Sequence, residues 1–174
     1  MEKRDFKLVV GLGNPEDEYE GTYHNVGSVA LERLSGNEEF KKPFSIWKGK
    51  PFKYLKGRTR VYIRPFGFMN ESGKGVYSAM KHFGVKPEEI LVIHDDADIG
   101  IGTYKLSLGG GSAGHNGVKS VIDHLKTENF WRLRIGIRGK TAGKAGDFVL
   151  RKILPEDREF LEKALSEIQI SYSE

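Results

Sequence analysis

The stretch Ile90-Leu91-Val92-Ile93-His94-Asp95-Asp96 decides how the rest of this chain is read. Four consecutive apolar residues form the most strand-like run in the protein. Such a run suits a strand buried on both faces. Pro87-Glu88-Glu89 precedes it, and the polar cluster His94-Asp95-Asp96 follows. Phe6 to Val10 is a similar run, closed by Gly11 and Gly13, and reads as a second buried strand ending in a tight loop. Two or three strands with turns at Gly49-Lys50-Pro51 and Gly57 are expected between residues 44 and 66, and short strands at Thr103 to Leu108 and Trp131 to Ile137. Helical spacing of apolar residues places helices from Val26 to Leu34, Glu71 to Phe83, Gly114 to Leu125, and from Pro155 to near Ser171. Strands alternating with helices imply an α/β fold. The expected architecture is one domain over residues 1–174, a mixed, mostly parallel twisted sheet with helices on both faces.

Composition narrows the chemistry. The 174 residues include 28 basic and 24 acidic ones, a net charge of +4, so any case for an anionic partner rests on where the charges sit. There is no cysteine, which excludes disulfides, thiolate nucleophiles and Cys-ligated zinc. No apolar run approaches the roughly 18 residues of a membrane span. Met1 to Asp5 lacks the apolar stretch of a secretory signal, and the expected compartment is the cytoplasm.

Four polar groups follow expected strands: Asn14, then Phe68-Met69-Asn70, then His94-Asp95-Asp96, then His115-Asn116. Ligands in open α/β sheets bind beyond the carboxyl ends of the strands. His24 lies on the passage from the first loop into the first helix, so one sheet edge collects His, Asp and Asn side chains. That set suits general-base attack of water on an acyl group. Taken singly, each member has a plainer reading: His24 as a cap or surface histidine, Asp95 and Asp96 as turn caps, Asn14-Pro15 and Asn116-Gly117 as turns. Gly11-Leu12-Gly13-Asn14-Pro15-Glu16 lacks the third glycine of a dinucleotide fingerprint, and Gly109-Gly110-Gly111 lacks the Gly-Lys-Ser/Thr end of a P-loop. A metal held by His94, Asp95, Asp96, Asp98 and His115 is a weaker reading, without a recognised ligand motif.

Charge is unevenly spread. Phe40 to Asn70 has no acid and nine basic residues (Lys41, Lys42, Lys48, Lys50, Lys53, Lys56, Arg58, Arg60, Arg64), interleaved with aromatics such as Trp47, Tyr54, Phe66 and Phe68. Asn129 to Gly146 is also acid-free and holds Arg132, Arg134, Arg138, Lys140 and Lys144. Basic strands suit a phosphate backbone, and exposed aromatics stack on unpaired bases. The alternative is that the aromatics are core and the lysines a solvated face.

The ordered segments Val10-Gly-Leu-Gly-Asn-Pro15, Tyr19 with Thr22-Tyr-His-Asn25, Arg64-Pro65 with Phe68-Met-Asn70, His94-Asp-Asp96 with Asp98, and Gly109-Gly-Gly-Ser-Ala-Gly-His-Asn-Gly117 resemble bacterial-type peptidyl-tRNA hydrolases over nearly the whole chain. The resemblance implies an esterase that frees peptide from the 3′ ribose of tRNA, a cytoplasmic monomer with no metal or organic cofactor. By motif position it implies His24 as the base, Asp95 as its partner, and Asn14 as the residue that senses an N-blocked substrate. Asn70 and Asn116 would bind near the ester, Tyr19 and Phe68 would line the cleft, and Met69 and His115 would support packing or binding. Arg134, with Lys105, would grip the 5′ phosphate of tRNA. The family's second basic position is Ser107 here, so a weaker clamp is expected. Tyr23 stands where the family usually has Arg, Glu16 and Gly67 where it usually has Gly and Thr.

Two other functions compete: a non-catalytic RNA-binding relative, and an esterase for small molecules. The five residues His24, Asp95, Asn14, Asn70 and Asn116 exceed what binding alone needs. The basic stretches exceed what a small substrate needs.

Overall fold

The computed structural model describes residues 5–15, 17–36, 45–46, 49–140 and 145–168. Along the chain run β1 (Leu8–Gly11), α1 (Val26–Leu34), β2 (Ser45–Ile46), β3 (Phe52–Lys56), β4 (Val61–Pro65), α2 (Ser72–Phe83), β5 (Ile90–Gly100), β6 (Tyr104–Leu108), α3 (Asn116–Leu125), β7 (Trp131–Arg138), α4 (Ala145–Phe148) and α5 (Pro155–Glu167). Single-turn 3-10 helices at Tyr23–Asn25 and Met69–Glu71 lead into α1 and α2. The expected end of the last helix near Ser171 lies outside the described residues, as do Lys41, Lys42, Lys48, Lys144, Phe44, Trp47 and Glu16.

The strands form one mixed sheet in the order β2-β3-β4-β1-β5-β7-β6. The central pairings β4-β1, β1-β5 and β5-β7 are parallel. The outer pairings β2-β3, β3-β4 and β7-β6 are antiparallel. β1 and the start of β5 carry unbroken apolar runs because helices cover both of their faces, whereas β7 interleaves Arg132 and Arg134 with its apolar residues. Val9, Leu91, Ile93, Leu133, Ile135 and Ile137 turn to the face closed by α1 and α5, where Leu31, Leu161 and Leu165 meet them. Leu8, Val10, Ile63, Ile90 and Val92 turn to the other face, closed by Val76 and Ala79 of α2 and Val118 and Val121 of α3. Two apolar layers therefore sandwich the sheet.

Two features differ from the sequence expectation, and both shape the site. The strand that begins at Ile90 does not end at Ile93. It continues through His94, Asp95 and Asp96, which pair with Arg134, Ile135 and Gly136 of β7. Polar residues stay in the strand because the neighbouring strand still supplies a ladder for their backbone groups. The second difference concerns His115-Asn116. Leu108, the last residue of β6, pairs with Trp131, the first of β7. The chain therefore leaves β6 at the amino end of the parallel strands, and the Gly-rich run carries it back to the carboxyl end. Arg132, buried beneath this run, donates from Nη1 to the Gly111 carbonyl at 2.9 Å and from Nη2 to that of Gly109. Gly110 has φ +87, and a Cβ there would lie 2.8 Å from Arg132 Nη2, so glycine serves both the turn and the close approach.

Tyr23, at the position where Arg was the usual residue, is buried and faces α5. Its hydroxyl donates to Asp157 Oδ2 at 2.6 Å and accepts from the Leu154 N–H at 3.2 Å. Burial and the Asp157 bond push Tyr23 up to about 12, so it stays a donor at any physiological pH. The neighbouring His24 N–H donates to the Val149 carbonyl at 2.9 Å. The turn carrying His24 is thus tied to the α4–α5 region on one side and packs on β5 on the other.

Gly27 makes that second contact close. A Cβ at Gly27 would sit 2.4 Å from the Ile93 carbonyl oxygen and 2.8 Å from that of Leu12. Both are backbone atoms of the sheet and cannot step aside. Gly27→Ala is expected to lower unfolding free energy by about 3 kcal/mol or more, the upper end of overpacking costs. Urea denaturation, compared with Gly100→Ala, where a Cβ meets open space and the backbone has no positive φ, checks it.

Candidate active site

The first strand and the turn before α1 bring two asparagines together. The Asn25 side chain brackets the backbone of Asn14: its Oδ1 accepts from Asn14 N at 2.8 Å, and its Nδ2 donates to Asn14 O at 3.1 Å. Asn14 then reaches the α2 side of the site, where its Oδ1 accepts from Met69 N at 2.8 Å. With Oδ1 committed, the group that Asn14 offers to a ligand is the Nδ2 donor pair. Met69 is buried against the start of α3; a Cβ on Gly117 would lie 2.5 Å from its sulfur. Asn70 follows on the same turn with an exposed side chain. Phe68 is 45% exposed, and its ring meets that of Tyr19 edge-to-face with centroids 6.4 Å apart.

At the carboxyl end of β5 the parallel strands deliver Asp95 to His24. His24 Nδ1 donates to both carboxylate oxygens, at 2.9 Å and 3.1 Å. A carboxylate only accepts, so the proton sits on Nδ1 and the lone pair on Nε2. Among the described residues no hydrogen bond engages that Nε2. His115 Nε2 also approaches Asp95 Oδ1, at 2.9 Å. Burial alone would push the Asp95 carboxyl up, but His115 and the N–H donors of both rings outweigh it and hold the group well below the usual carboxylate range. His94, behind them, donates from Nδ1 to the Asp95 backbone carbonyl at 2.7 Å. Its burial, with His115 beside it, pushes it down to about 3, so it is neutral.

A cavity of about 280 Å³ opens here, lined by His24, Asp95, His115, Asn116, Ser112 and Val149 among others. Asn14 lines a separate cavity with Asn25 and Arg64, which shares no lining residue with the first. His24, Asp95 and His115 offer donor atoms within 4.8 Å of one another, a spacing a metal could use. The hydrogen bonds argue otherwise: the nitrogens facing Asp95 carry protons, and a ligating nitrogen must not.

The basic stretches look different in three dimensions. Arg134 Nε donates to Asp96 Oδ2 at 2.7 Å, and Arg64 Nη1 to Glu32 Oε1 at 2.8 Å. Arg60 and Arg132 are buried. Phe52 and Tyr62 are core residues, whereas Lys53, Lys56, Arg58, Lys105, Arg138 and Lys140 are exposed. Lys105 lies directly opposite Arg134 across β6 and β7, and Ser107 opposite Arg132. Sequence reasoning missed Asn25 and Arg132 as organisers; Asn25 stood in a quoted motif, while Arg132 carried no separate signal.

A model of the family described as peptidyl-tRNA hydrolase matches residues 8–173. The chain belongs to the peptidyl-tRNA hydrolase family. It is 45% identical over 171 residues to a peptidyl-tRNA hydrolase of Haemophilus influenzae, covering 94% of this chain and 86% of that one. It is 40% identical over 166 residues to that of Aquifex aeolicus, covering 94% and 84%. The crystal structure of peptidyl-tRNA hydrolase from Acinetobacter baumannii superposes with a TM-score of 0.84 at 30% identity, covering 95% of this chain and 86% of that one. The mixed sheet with helices on both faces is the fold of this family.

His94 gives the site a pH signature in stability. Its folded-state value is depressed to about 3 from an ordinary 6.5, so between these the unfolded chain binds a proton that the folded chain does not. Stability therefore falls as pH drops through this window. By pH 5 the loss is about 2 kcal/mol. Asp95 adds nothing there, being ionised in both states. Denaturant midpoints at neutral pH and near pH 5 should show this slope, and His94→Gln should flatten it.

Proposed function

We propose that this chain hydrolyses the ester joining a peptide, or an N-blocked aminoacyl group, to the 3′ end of tRNA, returning free tRNA to translation. The observation that carries the reading is the pairing of His24 with the buried Asp95. It leaves Nε2 as the basic nitrogen in the cavity that Asn116 also lines. In this reading His24 takes a proton from water as the water attacks the ester carbonyl, and Asp95 stabilises the imidazolium that forms. The Nδ2 of Asn14 donates to the peptide carbonyl that a free aminoacyl group lacks. Asn70 and Asn116 hold the substrate near the ester, and Met69 and His115 support them. Tyr19 and Phe68 receive the terminal adenosine. Water is the nucleophile, and no step draws on a cofactor. The protein acts as a monomer in the cytoplasm; among the described residues no helix is long and apolar enough to cross a membrane.

Lys105 and Arg134 form the 5′-phosphate clamp in this reading. Their opposed positions across β6 and β7 support it. The Asp96 bond orients Arg134 and tempers its charge, which adds to the absence of a second cation at Ser107.

His24→Ala should lower kcat by roughly 10² to 10⁴-fold, the usual share of general-base catalysis, while tRNA affinity stays near wild type. Asp95→Asn should cost less and move the acid limb of the pH–rate profile to lower pH, because removing a negative neighbour destabilises the imidazolium. Near-full activity of His24→Ala in a hydrolysis assay would remove it from the mechanism.

Arg134→Ala and Lys105→Ala should each weaken binding of 5′-phosphorylated tRNA and flatten the slope of log K against log salt by about 0.7 to 0.9. Dephosphorylated tRNA should bind the variants and the wild type alike. Equal losses on both substrates would place these residues on an ordinary solvated face.

A further inference from the structure

Three imidazoles crowd Asp95, and the proposed chemistry uses only one. His94 is neutral and turned onto its own strand. His115 is different, because both of its nitrogens are committed. Its Nδ1 accepts from the backbone N–H of Gly117 at 3.1 Å and of Val118 at 3.2 Å, capping the amino end of α3. An atom that accepts two N–H groups holds no proton of its own, so the ring proton of His115 sits on Nε2. That N–H donates to Asp95 Oδ1, the same oxygen that accepts from His24 at the same 2.9 Å.

The sharing has an electrostatic consequence. A carboxylate stabilises an imidazolium through its charge and its free lone pairs. Each further donor drawn onto the same oxygen spreads that charge and weakens the hold on the first ring. Resting on the reading of His24 as the base, we propose that His115 is a positioning residue that sets the base strength of His24 through the Asp95 oxygen they share, with the α3 cap fixing the tautomer that makes this possible.

The other groups around the pair do not supply the same effect. From β5, Asp96 is paired with Arg134 of β7, and Asp98 is exposed on the cavity wall. From β7, Arg132 is committed to the Gly109 and Gly111 carbonyls. From α3, Lys119 is exposed and paired with Asp123. His94 packs edge-on to His115 with centroids 4.8 Å apart, and it is neutral.

His115→Asn separates the two roles of the ring. Asparagine is among the best N-cap residues, so α3 keeps its cap, but its short amide does not reach Asp95. The experiment is an NMR pH titration of the His24 ring in the substrate-free protein, wild type against His115→Asn. The expected result is a midpoint higher by about half a unit or more in the variant, with the fold retained and thermal stability lowered by the loss of one donor to the buried Asp95. An unmoved or lowered midpoint overturns the proposal. A second measurement needs no variant: at mildly alkaline pH the ¹⁵N shifts of wild-type His115 should show a protonated Nε2 and a bare Nδ1. The opposite tautomer overturns the proposal even if His115→Asn fails to fold. Neither measurement reads catalysis, so a failure of the hydrolase reading would show separately, as absent turnover with these NMR results intact.

Discussion

Asp95 is 2% exposed and accepts N–H donors from two imidazoles, His24 and His115. A carboxylate removed from water is costly unless its lone pairs are taken up. The surrounding architecture meets that demand from separate parts of the chain. The long β5 carries Asp95 to the carboxyl edge of the sheet. The turn before α1 brings His24, and the glycine at position 27 lets that turn lie directly on the β5 backbone. The Gly-rich run brings His115 from the far end of β6, stapled on its way by Arg132. Removing one donor would leave a buried charge short of partners, so the same bonds that arrange the site also stabilise the fold.

The asparagine side of the site follows the same logic. Asn25 holds Asn14 by its backbone, and Met69 holds it by its side-chain oxygen, so the orientation of the amide is fixed before any ligand arrives. Preorganised donors lose little on binding. Phe68 and Asn70 flank Met69 on the same turn, both exposed.

The central strands and the four longer helices were legible because their signals are local: unbroken apolar runs, helical spacing, and a glycine past the end of α2. The limits have equally definite causes. The end of β5 was hidden because His94, Asp95 and Asp96 look like loop residues, and only the ladder to β7 keeps them extended. Adjacency in sequence suggested that His115 follows a strand at the site, whereas the antiparallel pairing of β6 reverses its direction. The acid-free stretches read as free charge, yet Arg64 and Arg134 find Glu32 and Asp96 from elsewhere in the chain. Asn25 sat beside His24 in a quoted motif, but its partner lies eleven residues earlier, on another element. α4 is four residues long, too short to show a helical period.

In the chemistry proposed above, a base fixed by a buried carboxylate acts on the ester of an N-blocked aminoacyl-tRNA. The most direct test of that chemistry places N-acetyl-aminoacyl-tRNA and free aminoacyl-tRNA, carrying the same amino acid on the same tRNA, side by side with the wild-type protein and follows release of tRNA. The N-blocked substrate should be hydrolysed and the free one spared. Equal hydrolysis of both, or tight binding of both with hydrolysis of neither, would contradict it.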